Sequence, residues 1–146
     1  MKLTENFSLE EFTTSQLAAR NSLDNTPGAE QIENLRELCV YVLEPLRKYL
    51  KARCRVSSGY RAPQVNALAG GSPTSDHKDG RAADVTFEGF TPAEVFAAIK
   101  ELKLPVKQAI EEFGAWVHVS YDKSNIKREY LLARKINGKT VYTRVK

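Results

Sequence analysis

Two histidines are all this chain has, and each sits in a pattern that suits a metal ligand. His77 lies in Ser75-Asp76-His77-Lys78-Asp79-Gly80-Arg81-Ala82-Ala83-Asp84, and His118 in Trp116-Val117-His118-Val119-Ser120. Gly80, between His77 and Asp84, lets the chain double back so that a loop ligand and a strand-start ligand can meet. His118 alternates with valines and reads as a strand residue. A fold that satisfies all three must bring a loop, the start of one strand and a second strand to a single point. Two imidazoles and a carboxylate fill three of the four tetrahedral positions of zinc. That leaves one position open, the pattern of a catalytic site rather than a structural one.

At 146 residues the chain fits one domain, residues 1–146, with a real core. Its formal net charge is +4. A basic surface favours an acidic partner such as nucleic acid, anionic lipid or an anionic wall polymer, or serves solubility alone. The basic residues are dispersed with no Lys/Arg block among aromatics, so no nucleic-acid partner is expected. Cys39 and Cys54 form no CxxC pair and read as reduced core residues. Nothing approaches transmembrane length. No apolar run follows Lys2, so the expectation is synthesis in a bacterial host cytoplasm without a signal peptide. A monomer is expected.

The organisation follows from caps and periodicity. Ser8 and Glu11 form a capping box, with Phe7 and Phe12 stapled across it, for a helix to about Leu17. Thr26 reads as an N-cap with Pro27 at the first helical position. Ile32, Leu35, Leu38, Val42, Leu46 and Leu50 line one face of a long helix, which Pro45 should kink or end. Strands are expected at Arg55–Ser58, Asp84–Phe87, Val106–Glu112 and Trp116–Tyr121. Short helices are expected from Pro63 to Leu68 and from Thr91 to Leu102. Asn137-Gly138 suits a type I′ hairpin turn at the end. Helices followed by mixed strands argue for an α+β domain with a small, largely antiparallel sheet flanked by helices.

Ser57-Ser58-Gly59-Tyr60-Arg61, Ser75-x-His77-x-x-Gly80-x-Ala82-x-Asp84 and Trp116-x-His118, in that order, resemble the M15 zinc peptidases. That family includes D-alanyl-D-alanine carboxypeptidases and phage endolysin endopeptidases that cut peptidoglycan stem peptides. Phe7–Phe12 and Leu43–Arg47 resemble its phage and prophage branch. The resemblance implies the hedgehog/DD-peptidase fold, Zn2+ held by His77, Asp84 and His118, and hydrolysis of peptidoglycan peptides. It also implies action on the wall after release or as a virion component. Arg61 is then an oxyanion or carboxylate partner, Ser75, Tyr60, Gln64 and Asn66 line or brace the cleft, and Trp116 walls it. Asp76 and Asp79 read as solvated loop charges.

The proton-transferring base is either Glu111 or Glu112. If Phe113-Gly114-Ala115 is a three-residue loop, Glu112 pairs with Trp116 and shares a face with His118; a two-residue turn would present Glu111 instead. Family resemblance agrees with Glu112. The chain departs from some relatives in having Ala115 where they place an acid and Trp116 where they carry a histidine. Two other classes compete with the enzyme: a non-catalytic, zinc-stabilised wall-binding or phage structural module, and a nucleic-acid binder suggested by charge alone.

Overall fold

Ser8 starts the first helix as its capping pattern predicts. The Glu11 carboxylate accepts from the Ser8 N–H at 2.8 Å, and the Phe7 and Phe12 rings pack 6.0 Å apart. In this computed structural model, which describes all 146 residues, that helix (α1, Leu9–Thr13) ends four residues earlier than the expected Leu17. Thr14 is extended, and the Ser15 hydroxyl accepts from the Ala18 N–H, capping a separate helix α2 (Gln16–Arg20). A second N-cap inside the apolar pattern splits it.

The next start also shifts. Thr26 is not a cap: its N–H and hydroxyl both donate to Asp24, in a local turn. Helix α3 (Ala29–Leu38) begins after Gly28, whose N–H donates to the Gln31 side chain at 2.9 Å. Pro45 neither ends the long helix nor is left without accommodation. A π-turn at Cys39–Leu43 opens the ladder, with the Glu44 N–H donating to Cys39 O, and α4 (Glu44–Leu50) continues with Pro45 in its first turn. An extra residue in the turn relieves the clash a proline ring makes with the carbonyl four residues back.

The remaining elements are β1 (Cys54–Ser58), α5 (Pro63–Leu68), a 3₁₀ turn at Asp76–Asp79, β2 (Ala82–Phe87), α6 (Pro92–Glu101), β3 (Gln108–Glu112), β4 (Trp116–Ser120), β5 (Glu129–Ile136) and β6 (Lys139–Val145). The architecture is α+β: helices against one six-stranded sheet of order β1-β2-β4-β3-β5-β6. Every neighbouring pair is antiparallel except β3 with β5. Asn137 and Gly138 have φ of 51° and 78°, as a type I′ hairpin turn between β5 and β6 requires.

Strand alternation divides the sheet into two chemical faces. Ala83, Val85, Phe87, Ala109, Val117 and Val119 point into the core, against Leu35, Leu38, Val42, Leu46, Val95 and Ile99 of the helices. The opposite face carries Asp84, Ile110, Glu112, Trp116 and His118. Cys39 and Cys54 are free and buried in the core, and burial pushes both thiols well above their ordinary pKa. They are therefore packing residues, not thiolate ligands.

Gly59 lies where the strand β1 exit crosses α1. A Cβ there would stand 2.6 Å from Phe12 O, so only glycine allows the Tyr60 N–H to donate to that carbonyl. No helix of the chain is long and apolar enough to cross a membrane.

Candidate metal centre

Sheet register brings two of the three expected ligands together. Asp84 on β2 pairs directly with His118 on β4, and His118 pairs with Ile110 on β3. Directly opposed residues share a face, so the Asp84 carboxylate and the His118 ring must meet. His118 Nδ1 lies 3.1 Å from Asp84 Oδ1. His77 arrives from the 3₁₀ turn, with Nε2 3.5 Å from the same oxygen. The two rings are 5.1 Å apart at 63°. One ligand atom from each residue falls within 4.8 Å of the others, so the cluster can hold a metal ion.

The His77 turn is over-determined. Ser75 Oγ accepts from the His77 N–H, and Gly80 closes the turn at φ 72°. His77 Nδ1 lies 2.7 Å from Gly59 O; as the donor there, it leaves Nε2 as a lone-pair ligand. A Cβ on Gly80 would sit 2.5 Å from Gln31 O as well as demand a left-handed conformation. Gly80→Ala is therefore expected to cost about 1–3 kcal/mol and to weaken metal binding, as read by denaturant melts and metal titration.

Asp76 corrects the expectation of a solvated charge. Both its oxygens accept from Lys107 Nζ at 3.0 Å, tying the His77 turn to the segment just before β3. Asp79 is exposed and lies 3.7 Å from Arg81, as expected of a loop charge.

Electrostatics separate the carboxylates by role. Burial alone would raise the Asp84 carboxyl, but hydrogen bonds and charge from His118 and His77 outweigh it and hold Asp84 well below the usual carboxylate range. It is an anion at neutral pH, as a metal ligand must be. Burial favours the neutral His118 ring, but Asp84 outweighs that and raises its pKa. Glu112 moves the other way: burial, then the Asp84 charge, push it above the ordinary glutamate value.

The hairpin β3–β4 settles which glutamate faces the centre. Phe113-Gly114-Ala115 is a three-residue loop, with Glu112 paired to Trp116. Phe113 and Gly114 take φ of 59° and 67°. Glu112 thus shares the face of His118, and Glu111 points to the other. There Glu111 is engaged: Arg134 donates to both its oxygens at 2.6 and 3.0 Å, and the Gly114 N–H donates at 3.1 Å. Arg134 chiefly holds the Glu111 carboxyl below its ordinary pKa. Such a group contributes stability above its unfolded pKa and loses it as pH falls through the depressed folded value. Glu111→Gln should cost about 1–3 kcal/mol near neutral pH. Urea melts should show that difference shrinking in acid, once the parent carboxyl is protonated too.

The centre opens into a cleft of about 470 Å³. Arg61, Ser75, Glu112 and Trp116 line it as expected. Arg61 Nε donates to Ser58 Oγ at 3.1 Å, and its terminal nitrogen lies 3.8 Å from Asp84 Oδ2. Trp116 packs edge-on to Phe113, 5.9 Å between ring centres. Two expected contacts are elsewhere. Gln64 is exposed on α5 and lines no part of the cleft. Tyr60 is buried and borders a second cleft of about 490 Å³ on the other side of Arg61. Asn66 braces rather than lines: its amide donates to Ser72 O, holding the Gly70–Thr74 loop. Gln108 and Tyr142 line the metal cleft without having been expected to.

A family model described as Peptidase M15 matches residues 5–120, a span that holds all three candidate ligands, Arg61 and Glu112. The chain belongs to the peptidase M15 family. M15 peptidases are metallopeptidases, so the His77–Asp84–His118 cluster is the possible metal site of a peptidase. No curated protein matches the chain. In this M15 peptidase the match ends at the last residue of β4, so β5 and β6 lie outside the matched span.

Proposed function

We propose that this M15 peptidase hydrolyses peptide bonds in peptidoglycan stem peptides, with zinc as its metal. The observation that carries this reading is the set of two imidazoles and one carboxylate converging within 4.8 Å, with Glu112 on the same sheet face. The donor set suits zinc, which binds imidazole nitrogen and carboxylate oxygen in catalytic sites with three protein ligands. Zinc, when bound, supplies Lewis acidity at the scissile carbonyl and an acidified water.

The side chains do the rest. Glu112, whose carboxyl burial and the Asp84 charge push above the ordinary glutamate value, takes a proton from the attacking water and returns it to the leaving amine. Arg61, held by Ser58 beside Asp84, offers its guanidinium to the developing oxyanion or to a substrate carboxylate. Trp116 and Ile110 supply apolar surface to the cleft wall.

Arg61 and Ala69 border both the metal cleft and the second cleft, so Arg61 stands at a waist with space on either side. Space on both sides favours an endopeptidase, because a terminal carboxylate needs a closed end. The Gly70–Thr74 loop borders the metal cleft, whereas Phe87 and Glu88 border a separate one with Arg53 and Arg55. The likeness of Phe7–Phe12 and Leu43–Arg47 to prophage members supports a phage setting, with action on the wall after release or from a virion. The +4 charge supports approach to an anionic wall.

The test is digestion of purified peptidoglycan by the zinc-loaded protein, with mass spectrometry of the fragments. New termini inside the stem peptide are expected. Loss of terminal D-alanine alone makes it a carboxypeptidase. Zinc binding without any new terminus leaves a wall-binding module and ends the enzyme reading.

A further inference from the structure

Tyr142 is the one side chain of the two C-terminal strands that reaches the metal cleft. Its place follows from register. Glu112 on β3 pairs with Ala133 on β5, and Ala133 pairs with Tyr142 on β6. Directly paired residues share a face, so these three form one row on the face that carries the metal centre. Two strand spacings separate the Glu112 and Tyr142 backbones, about 10 Å. The residue between them is an alanine, fully buried, whose methyl leaves the row low. A tyrosine ring spans most of such a gap. Tyr142 is itself 57% exposed, so its ring is open to a ligand rather than packed away.

The cleft therefore has two ends. His77, Asp84 and Arg61 stand at one, and Tyr142 at the other, with Glu112 between. Burial and the Glu112 charge both raise the Tyr142 pKa, so its phenol keeps its proton and can donate. A tyrosine offers a flat apolar face and one hydrogen-bond donor, a combination suited to a peptide backbone.

We infer that Tyr142 is a substrate-contacting residue: it binds the portion of a peptide substrate lying beyond Glu112, its hydroxyl donating to a carbonyl or carboxylate oxygen and its ring supporting the chain. The inference rests on the peptidase reading, but it assigns to the C-terminal hairpin a part in binding that the matched span, which ends at Ser120, does not contain.

The test uses the full zinc-loaded chain, its Tyr142→Phe and Tyr142→Ala forms, and the synthetic stem pentapeptide L-Ala-γ-D-Glu-L-Lys-D-Ala-D-Ala. Loss of one neutral hydrogen bond should raise KM about fivefold in Tyr142→Phe. Loss of the ring as well should raise it more than about tenfold in Tyr142→Ala. In both, kcat, zinc content and melting temperature should stay near the parent's. A purely structural tyrosine would lower the melting temperature in Tyr142→Ala and leave KM unchanged in Tyr142→Phe; that result overturns the inference.

Binding can be read without turnover, because Trp116 is the only tryptophan and lines the same cleft. Titrating the pentapeptide against tryptophan fluorescence in a Glu112→Gln background should show the same weakening for each Tyr142 change. If the parent binds this peptide through Tyr142 but cuts nothing, the peptidase reading falls and the contact stands. If it cuts the peptide with a KM indifferent to Tyr142, the contact falls and the peptidase reading stands. If it neither binds nor cuts, both fall.

Discussion

Replacing Glu112 by glutamine is expected to lower kcat for the proposed stem-peptide hydrolysis by roughly 10²–10⁴-fold, while zinc content should stay at the parent's level. Glutamine keeps the shape and the hydrogen-bonding reach but cannot take up a proton. Glu112 is not one of the clustered ligands, so the metal should be undisturbed. Its environment suits the base proposed for it: it is half-buried on the His118 face, and burial with the Asp84 charge favours its protonated form more than in an ordinary glutamate. Glu111→Gln is the matched control. Glu111 faces away and is clamped by Arg134, so its loss should lower stability and leave kcat of the folded protein near the parent's. Steady-state kinetics beside metal analysis separate the two. Equal loss of kcat in both variants would remove Glu112 from its role.

The second large effect is at the metal itself. Asp84→Asn should weaken zinc by more than about 10²-fold, since even residues that only orient ligands cost 10–100-fold. Asp84 is the centre of the cluster: both imidazoles face its Oδ1, and Arg61 lies near its other oxygen. Asparagine fills the same space without the charge that binds a divalent cation. In the parent, zinc at about 100 times its Kd should add roughly 2.7 kcal/mol of stability. That should raise Tm by roughly 5–10 °C. The variant should show no such rise at the same zinc concentration. Chelation should abolish activity in the parent, and added zinc should restore it. Differential scanning calorimetry with and without zinc checks the stability half.

The parts of this molecule that were legible in the sequence are those set by local rules. The Ser8–Glu11 box, the helix start at Thr91, the Asn137-Gly138 turn and the strand alternation around His118 each depend on a few adjacent residues. So does the placing of Glu112 on the His118 face, which needed the length of one hairpin loop. The errors came where two local signals competed. Ser15 capped a new helix inside an apolar pattern that would have run to Leu17. Thr26-Pro27 resembled a helix start, but Asp24 captured the threonine. The π-turn before Pro45 is a tertiary compromise that keeps Leu38, Val42 and Leu46 on one buried face across a proline.

Residues of the site were missed for a different reason. Lys107 meets Asp76 across 31 positions, and Tyr142 joins the cleft only because β5 adds to β3 in parallel. Neither pairing leaves a local trace. Gln64 lies exposed on α5, a matter of helix phase that a six-residue helix does not reveal.

The most direct measurement is anomalous diffraction at the zinc absorption edge from crystals of the zinc-loaded protein. A single peak bounded by His77, Asp84 and His118, within bonding distance of about 2.0–2.2 Å of one atom from each, is the result this account predicts. A zinc peak held by other residues, or none between those three in protein that cuts peptidoglycan, would contradict it.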